Sequence, residues 1–370
     1  MEDRAKKYAR VRYQLAIIDM VYTLFLLLIL QMSGVNVTLK SLCFKFTPYE
    51  VFRVALYSAA LFIGYGILTF HIDLYRSFLL ERKFSLSRQK ITSWLLDHIK
   101  GNLLGFFVFI ILMECFFFFI RNFPYSWWWM SAIFWILFTV VIARIFPILV
   151  IPLFFKYKKI ENNELRQAIL ALAEKMKVKI LDVFEIDYSK KTVKANAAFV
   201  GIGKSKRVLL TDTLLGGKFQ QKEIEMILAH EFAHYRLKHI LKMVAMSAFE
   251  ILVIFYIFFL LDKKGLAASD IANLGAWIFI FMLFGIVTKP FINWVHRTME
   301  RNADKAAIIT VGDKDAFISM MEKLSEQNLS EKKPPLLAKI FFYDHPPVEE
   351  RIELARNMPA SPAGREARCL

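Results

Sequence analysis

Cysteine is scarce and scattered, with Cys43, Cys115 and Cys369 the only three in 370 residues. This excludes a disulfide framework and a cysteine metal centre. Charge is low as well: 22% of the chain is charged, 56% is hydrophobic and 36 residues are phenylalanine. A soluble protein of this length would carry more charge and fewer apolar residues. No internal repeat or low-complexity tract is present. No basic stretch is interleaved with aromatics, so no nucleic-acid partner is expected despite a net charge of +16. Cys369 is penultimate and cannot start a prenylation motif. The basic N-terminus leads into an apolar run without a small-residue cleavage site, which reads as a retained helix rather than a signal peptide.

Long apolar runs are what the chain has in quantity. They fall at 15–32, 52–70, 103–120, 126–155, 243–261 and 271–292. A helix of about 20 such residues crosses a bilayer, so six spans are expected. The fourth run is overlong and contains Pro147 and Pro152, so its end should kink or leave the membrane. Positive charge gathers before the first run (Arg4, Lys6, Lys7, Arg10, Arg12), between the second and third (Arg76, Arg82, Lys83, Arg88, Lys90, Lys100) and after the fourth (Lys156, Lys158, Lys159). The alternate loops hold only Lys40 and Lys45, or Lys263 and Lys264. Both termini and the 156–242 segment are therefore expected in the cytoplasm.

The 156–242 segment reads as a soluble insert. In "NNELRQAILALAEKM", Leu165, Ile169, Leu172 and Met176 share one helical face. "KILDVFEID" and "RVLLTDTLL" read as short strands, and "ANAAFVGIGKSK" as a strand entering a Gly-containing turn. The expected organisation is a four-span bundle (1–155), the insert (156–242), two further spans (243–292), C-terminal helices (293–358) and a disordered tail (359–370).

Within "QKEIEMILAHEFAHYRLKHILK", expected as one helix about six turns long, lies an HExxH motif. Residues four apart share a helix face, so His230 and His234 can reach one Zn²⁺, and Glu231 can take a proton from a water beside it. His239 falls five residues after His234, with no glycine between, and about 140° around a continuous helix. It is expected at the surface or behind a ligand, so a third ligand must come from elsewhere. Downstream, "HRTMERNADKAA" places Glu300 and Asp304 four apart. They suit a zinc-bound carboxylate and a second acid that orients a histidine, or else they are solvated charges paired with Arg297 and Arg301.

Several separated motifs in fixed order resemble the type I CAAX prenyl proteases, integral-membrane zinc metalloproteases of the gluzincin type, and their bacterial relatives. They are "FLLERKFSLSRQKITSWLLDHIK", "FPILVIPLFFKY", "KANAAFVGIGKSKRVLLTDTLL", "HEFAHYRLKH", "ERNAD" and "YDHPPVEERIELA". The resemblance implies one Zn²⁺ per chain on His230, His234 and Glu300, with Glu231 as general base and Asp304 behind a ligand. It implies that Asn196 and Ala197 lie on an edge strand that pairs with substrate backbone. It also implies that His345 and Arg351 reach back to the site, His345 toward a developing oxyanion and Arg351 to hold a zinc-ligand carboxylate or polarise the site. A turn at "HPP" and a surface arginine are the plain alternatives for these two. The sequence departs from the family in two ways: eukaryotic members have seven spans, and Ala198 stands where tyrosine is common.

Asp19, Glu114, Arg144 and Glu250 fall in or beside expected spans, where such residues face a water-filled cavity or pair with one another, for example Glu114 with Arg144. The expectation is a mainly α polytopic bundle of about six spans with an inserted α+β gluzincin domain. It would hydrolyse peptide bonds in CAAX-type C-terminal peptides, prenylated or not, or in membrane proteins undergoing quality control. The alternative is a zinc-dependent transporter or sensor, in which Glu231 would have no purpose. The short chain and the absent C-terminal dilysine lean toward a bacterial inner membrane rather than the endoplasmic reticulum, with the zinc site cytoplasmic.

Overall fold

A computed structural model describes residues 2–201 and 206–359. The expected Gly-containing turn, from 202 on, and the tail beyond 359 lie outside the described residues. The chain opens with α1 (Glu2–Met32), α2 (Val35–Phe46) and α3 (Glu50–Leu74), the last continuing through a π turn into α4 (Leu80–Lys83). Then come α5 (Ile91–Asn122) and α6 (Trp127–Ile145). The backbone next widens through a second π turn, Phe146–Val150, into α7 (Ile151–Phe154). Pro147 and Pro152 lack the N–H groups that a regular helix needs there. The 12-residue α2, in a stretch expected as a loop, is too short to span a membrane.

The insert follows: β1 (Tyr157–Lys159), α8 (Asn163–Lys175), β2 (Val183–Ile186), β3 (Ala197–Val200), β4 (Arg207–Thr211), α9 (Asp212–Leu215) and α10 (Gln221–Arg236). After it stand α11 (His239–Lys263), α12 (Leu274–Val311), α13 (Lys314–Asn328), α14 (Leu336–Phe342) and α15 (Val348–Asn357). Among the described residues, six helices are long and apolar enough to cross a membrane: α1, α3 with its continuation, α5, α6, α11 and α12. Large apolar side chains such as Phe52, Phe107, Phe249 and Val287 stand exposed on them, an outer surface suited to lipid and not to water.

Aromatic packing holds the bundle interior. Phe116 meets Trp127 edge-on at 5.7 Å, and Phe258 meets Trp277 at 4.8 Å. Of the expected intramembrane charges, Asp19 pairs with Arg76 at 2.9 Å. Among the described residues no ion pair joins Glu114 to Arg144, and Glu114 Oε1 is buried without a hydrogen-bond partner.

The sheet order is β1-β2-β4-β3, so β3 is an edge strand, antiparallel to β4. One hydrophobic core joins the insert to the C-terminal helices: Ile169, Val183, Leu210 and Phe232 share it with Ala303, Phe317 and Ala355. The segments 156–242 and 293–358 thus fold around each other, although two spans separate them in sequence. The expected boundaries at 242 and 292 fall inside α11 and α12, and α12 runs unbroken for 38 residues from bundle to site. Buried alanines line the packed faces of α10 (Ala229, Ala233) and α12 (Ala303, Ala307), and such small side chains let the two backbones approach closely.

The start of α10 is fixed by Glu223, which is 2% exposed. Its carboxylate accepts from the Gln220 N–H (2.7 Å), Ser319 Oγ (2.6 Å) and Lys323 Nζ (2.7 Å), closing a capping box and tying α10 to α13. Burial pushes its pKa up, but Lys323, Ser319 and the Gln220 N–H outweigh burial and hold it below the ordinary value. A depressed carboxylate contributes stability above its unfolded pKa of 4.5 and loses it as pH falls through the folded value. Glu223→Gln is therefore expected to cost about 2 kcal/mol at neutral pH and to flatten the acid limb of stability. Thermal unfolding of the detergent-solubilised protein between pH 7 and pH 3 reads this. Equal pH slopes in both proteins would exclude it.

Candidate active site

Helix α10 carries His230, Glu231 and His234, and α12 brings Glu300 and Asp304 against them. The His230 and His234 Nε2 atoms lie 3.1 Å apart. Glu300 Oε2 is 3.2 Å from His230 Nε2, and Oε1 is 3.2 Å from His234 Nε2. With bonds of about 2.0–2.1 Å, the edge of a tetrahedral zinc site is about 3.3 Å, so these three groups fit one ion. Glu300 Oε2 is also buried with no hydrogen-bond donor directed at it. A buried carboxylate oxygen left this way costs free energy that a cation would recover. His230, His234 and Glu300 each offer a donor atom within 4.8 Å of the others.

Behind the donors, Asp304, fully buried, sits 2.8 Å from His230 Nδ1. Burial lowers the pKa of His230, but Asp304 and Glu300 outweigh it and pull the ring up to about 9. Arg351 grips Asp304 with two donors, Nε to Oδ2 at 2.8 Å and Nη2 to Oδ1 at 2.5 Å. Its hydrogen-bond partner is thus Asp304, the acid behind His230, and Arg351 lines the same cavity as His230, Glu231 and His345. His345 reaches the site as expected, its Nε2 3.4 Å from Glu300 Oε2 and its Nδ1 2.9 Å from Asp344 Oδ1. Burial lowers its pKa, and Asp344 and Glu300 more than compensate.

His239 departs from the expected helix geometry. The helix containing the motif does not run on for six turns; it breaks at Leu237, and Lys238 takes a left-handed conformation (φ 56°). This turn folds His239 back. It is 1% exposed, with Nδ1 3.1 Å from His234 Nδ1, so it backs His234 and is not on the surface. Sequence reading missed His296, which stands one helical turn before Glu300 and lines the same cavity. Five of the seven histidines, His230, His234, His239, His296 and His345, line that one space.

Two cavities, of about 380 and 330 Å³, meet at His230, Glu231 and His345. Asn196 and Ala197 line the first and Phe199 the second, so the edge strand runs past the candidate metal site. Half-buried Glu231 faces both cavities.

Residues 159–358 match the profile of peptidase family M48, and residues 2–156 that of the CAAX prenyl protease N-terminal region, with five membrane helices. That stretch of this chain holds four helices of spanning length and the short α2. The uncharacterized metalloprotease YhfN of Bacillus subtilis (strain 168) is 27% identical, covering 98% of this chain and 87% of its own length. CAAX prenyl protease 1 of Saccharomyces cerevisiae is 28% identical over 76% of this chain and 67% of its own. The crystal structure of S. mikatae Ste24p superposes with a TM-score of 0.85 at 23% identity, covering 95% of this chain and 88% of that one. The shared fold is thus a membrane bundle carrying a peptidase unit.

Proposed function

Because the chain belongs to peptidase family M48 and is a multi-pass membrane metalloprotease, we propose that its metal is a single Zn²⁺ held by His230, His234 and Glu300. Zinc there would supply Lewis acidity, activating a water and polarising the scissile carbonyl. The protein residues have the remaining roles. Glu231 takes the proton from the attacking water as its oxygen bonds to the carbonyl carbon, and passes it to the amine as the C–N bond breaks. His345 donates to the developing oxyanion. Asp304 fixes the ring of His230 from behind, and Arg351 fixes Asp304. Asn196 and Ala197 offer backbone groups to an extended substrate.

Glu231 supports this reading most: an acid beside two histidines and a carboxylate that fit one ion, facing the cleft along an open strand edge. We assign the natural substrate to prenylated CAAX-type C-terminal peptides or to membrane proteins undergoing quality control. The charge asymmetry of the loops supports a cytoplasmic zinc site and cytoplasmic termini. The test is a cleavage assay of the purified protein on a prenylated CAAX peptide beside an unmodified membrane protein, with and without chelator. Hydrolysis of one, lost with chelator and restored by Zn²⁺, is expected. Chelator-insensitive cleavage, or none of either, would overturn the reading.

A further inference from the structure

The edge of β3 is open at one end only. Asn196 turns its backbone toward β4, its N–H donating to Thr211 Oγ1 (3.0 Å) and its carbonyl accepting from the Thr211 N–H (3.1 Å). Backbone groups alternate along a strand, so those of Ala195, Ala197 and Phe199 point the other way, into the cleft. At Ala195 both are already taken. Asn328 Oδ1 accepts the Ala195 N–H (2.9 Å), and Asn328 Nδ2 donates to the Ala195 carbonyl (3.1 Å). A side-chain amide making both bonds occupies the place of a peptide unit in a neighbouring strand.

Its neighbour Gln327 donates to the Val193 carbonyl (2.9 Å) and the Thr213 carbonyl (3.2 Å), pinning the end of α13 to the sheet. At Ala197, by contrast, among the described residues the N–H meets only the side chain of the adjacent Asn196 (2.9 Å), a local contact that an incoming strand can replace. Asn328 lines the same cavity as Asn196, Ala197 and Glu231. The opposite cavity continues past Ile240 and Met243 into an apolar hollow between α6 and α11.

We infer that Asn328 is a specificity-determining residue: its amide closes the edge strand at Ala195, so a bound polypeptide is cut near one of its ends and not in mid-chain. A strand laid opposite Ala197 has about 7 Å, or about two residues, before it meets that amide. On its other side the cleft continues, among the described residues, past Phe199 and Met243 toward the bundle. This inference rests on the peptidase reading above.

The experiment takes whichever of the two substrates shows chelator-sensitive hydrolysis and appends two, four or eight residues to each end in turn. At one end, four or more residues lower kcat/KM by about tenfold or more; at the other end they have no effect. Asn328→Ala brings the extended substrates to within about twofold of the short one. Gln327→Ala loosens the neighbouring anchor and keeps the length discrimination. The inference is overturned if the parent tolerates extension at both ends, or if Gln327→Ala relaxes discrimination as much as Asn328→Ala. Should Asn328→Ala fail to fold, the parent's length profile alone decides. Absence of chelator-sensitive hydrolysis on either short substrate overturns the peptidase reading itself, and this inference with it.

Discussion

Glu231→Gln yields a protein that folds, keeps its metal and hydrolyses peptide about 10³- to 10⁴-fold more slowly. Glutamine preserves the shape of the side chain but cannot accept the proton of the attacking water, and general-base catalysis of this kind contributes about 10²- to 10⁴-fold. The upper part of that range is expected because Glu231 carries the proton twice, from water and then to the amine. Metal content must be unchanged, since His230, His234 and Glu300 are the only cluster of potential metal-holding side chains among the described residues. Metal content and kcat measured on the same preparation decide the point. A variant within about tenfold of the parent would remove Glu231 from the chemistry. A transporter using these ligands would keep its flux.

The second large effect concerns Glu300. Glu300→Ala removes one of three donors and leaves two imidazoles 3.1 Å apart. Replacing a partner that acts only behind a ligand costs about 10- to 100-fold in metal affinity. Loss of a ligand must exceed that, so Glu300→Ala is expected to weaken zinc binding by more than about 100-fold, and Asp304→Asn by less. Competition against a zinc-sensitive dye gives the ranking without any assay of activity. Equal losses would place Glu300 behind a ligand too, and an unchanged affinity for Glu300→Ala would put the third ligand elsewhere.

The spans were legible because lipid-facing helices need unbroken apolar runs, and each expected run lies on a helix of the bundle. His230, Glu231, His234, Glu300 and Asp304 were legible for a different reason: fixed spacing on a regular helix fixes which face a side chain takes. His239 was not, since nothing in "YRLKH", neither glycine nor proline, announces the left-handed turn at Lys238 that returns it to His234. The partner of Arg351 and the amide pairing of Asn328 depend on how α15 and α13 dock, which local sequence does not encode. The short α2 escaped because Lys40 and Lys45 dilute its apolar face.

Helix α12 runs from Leu274 to Val311 with Pro290 inside it, and Glu300 lies about 39 Å along its path. Glu300 is thus carried by the same continuous element as a span of the bundle, so the candidate metal site and the membrane helices share one backbone.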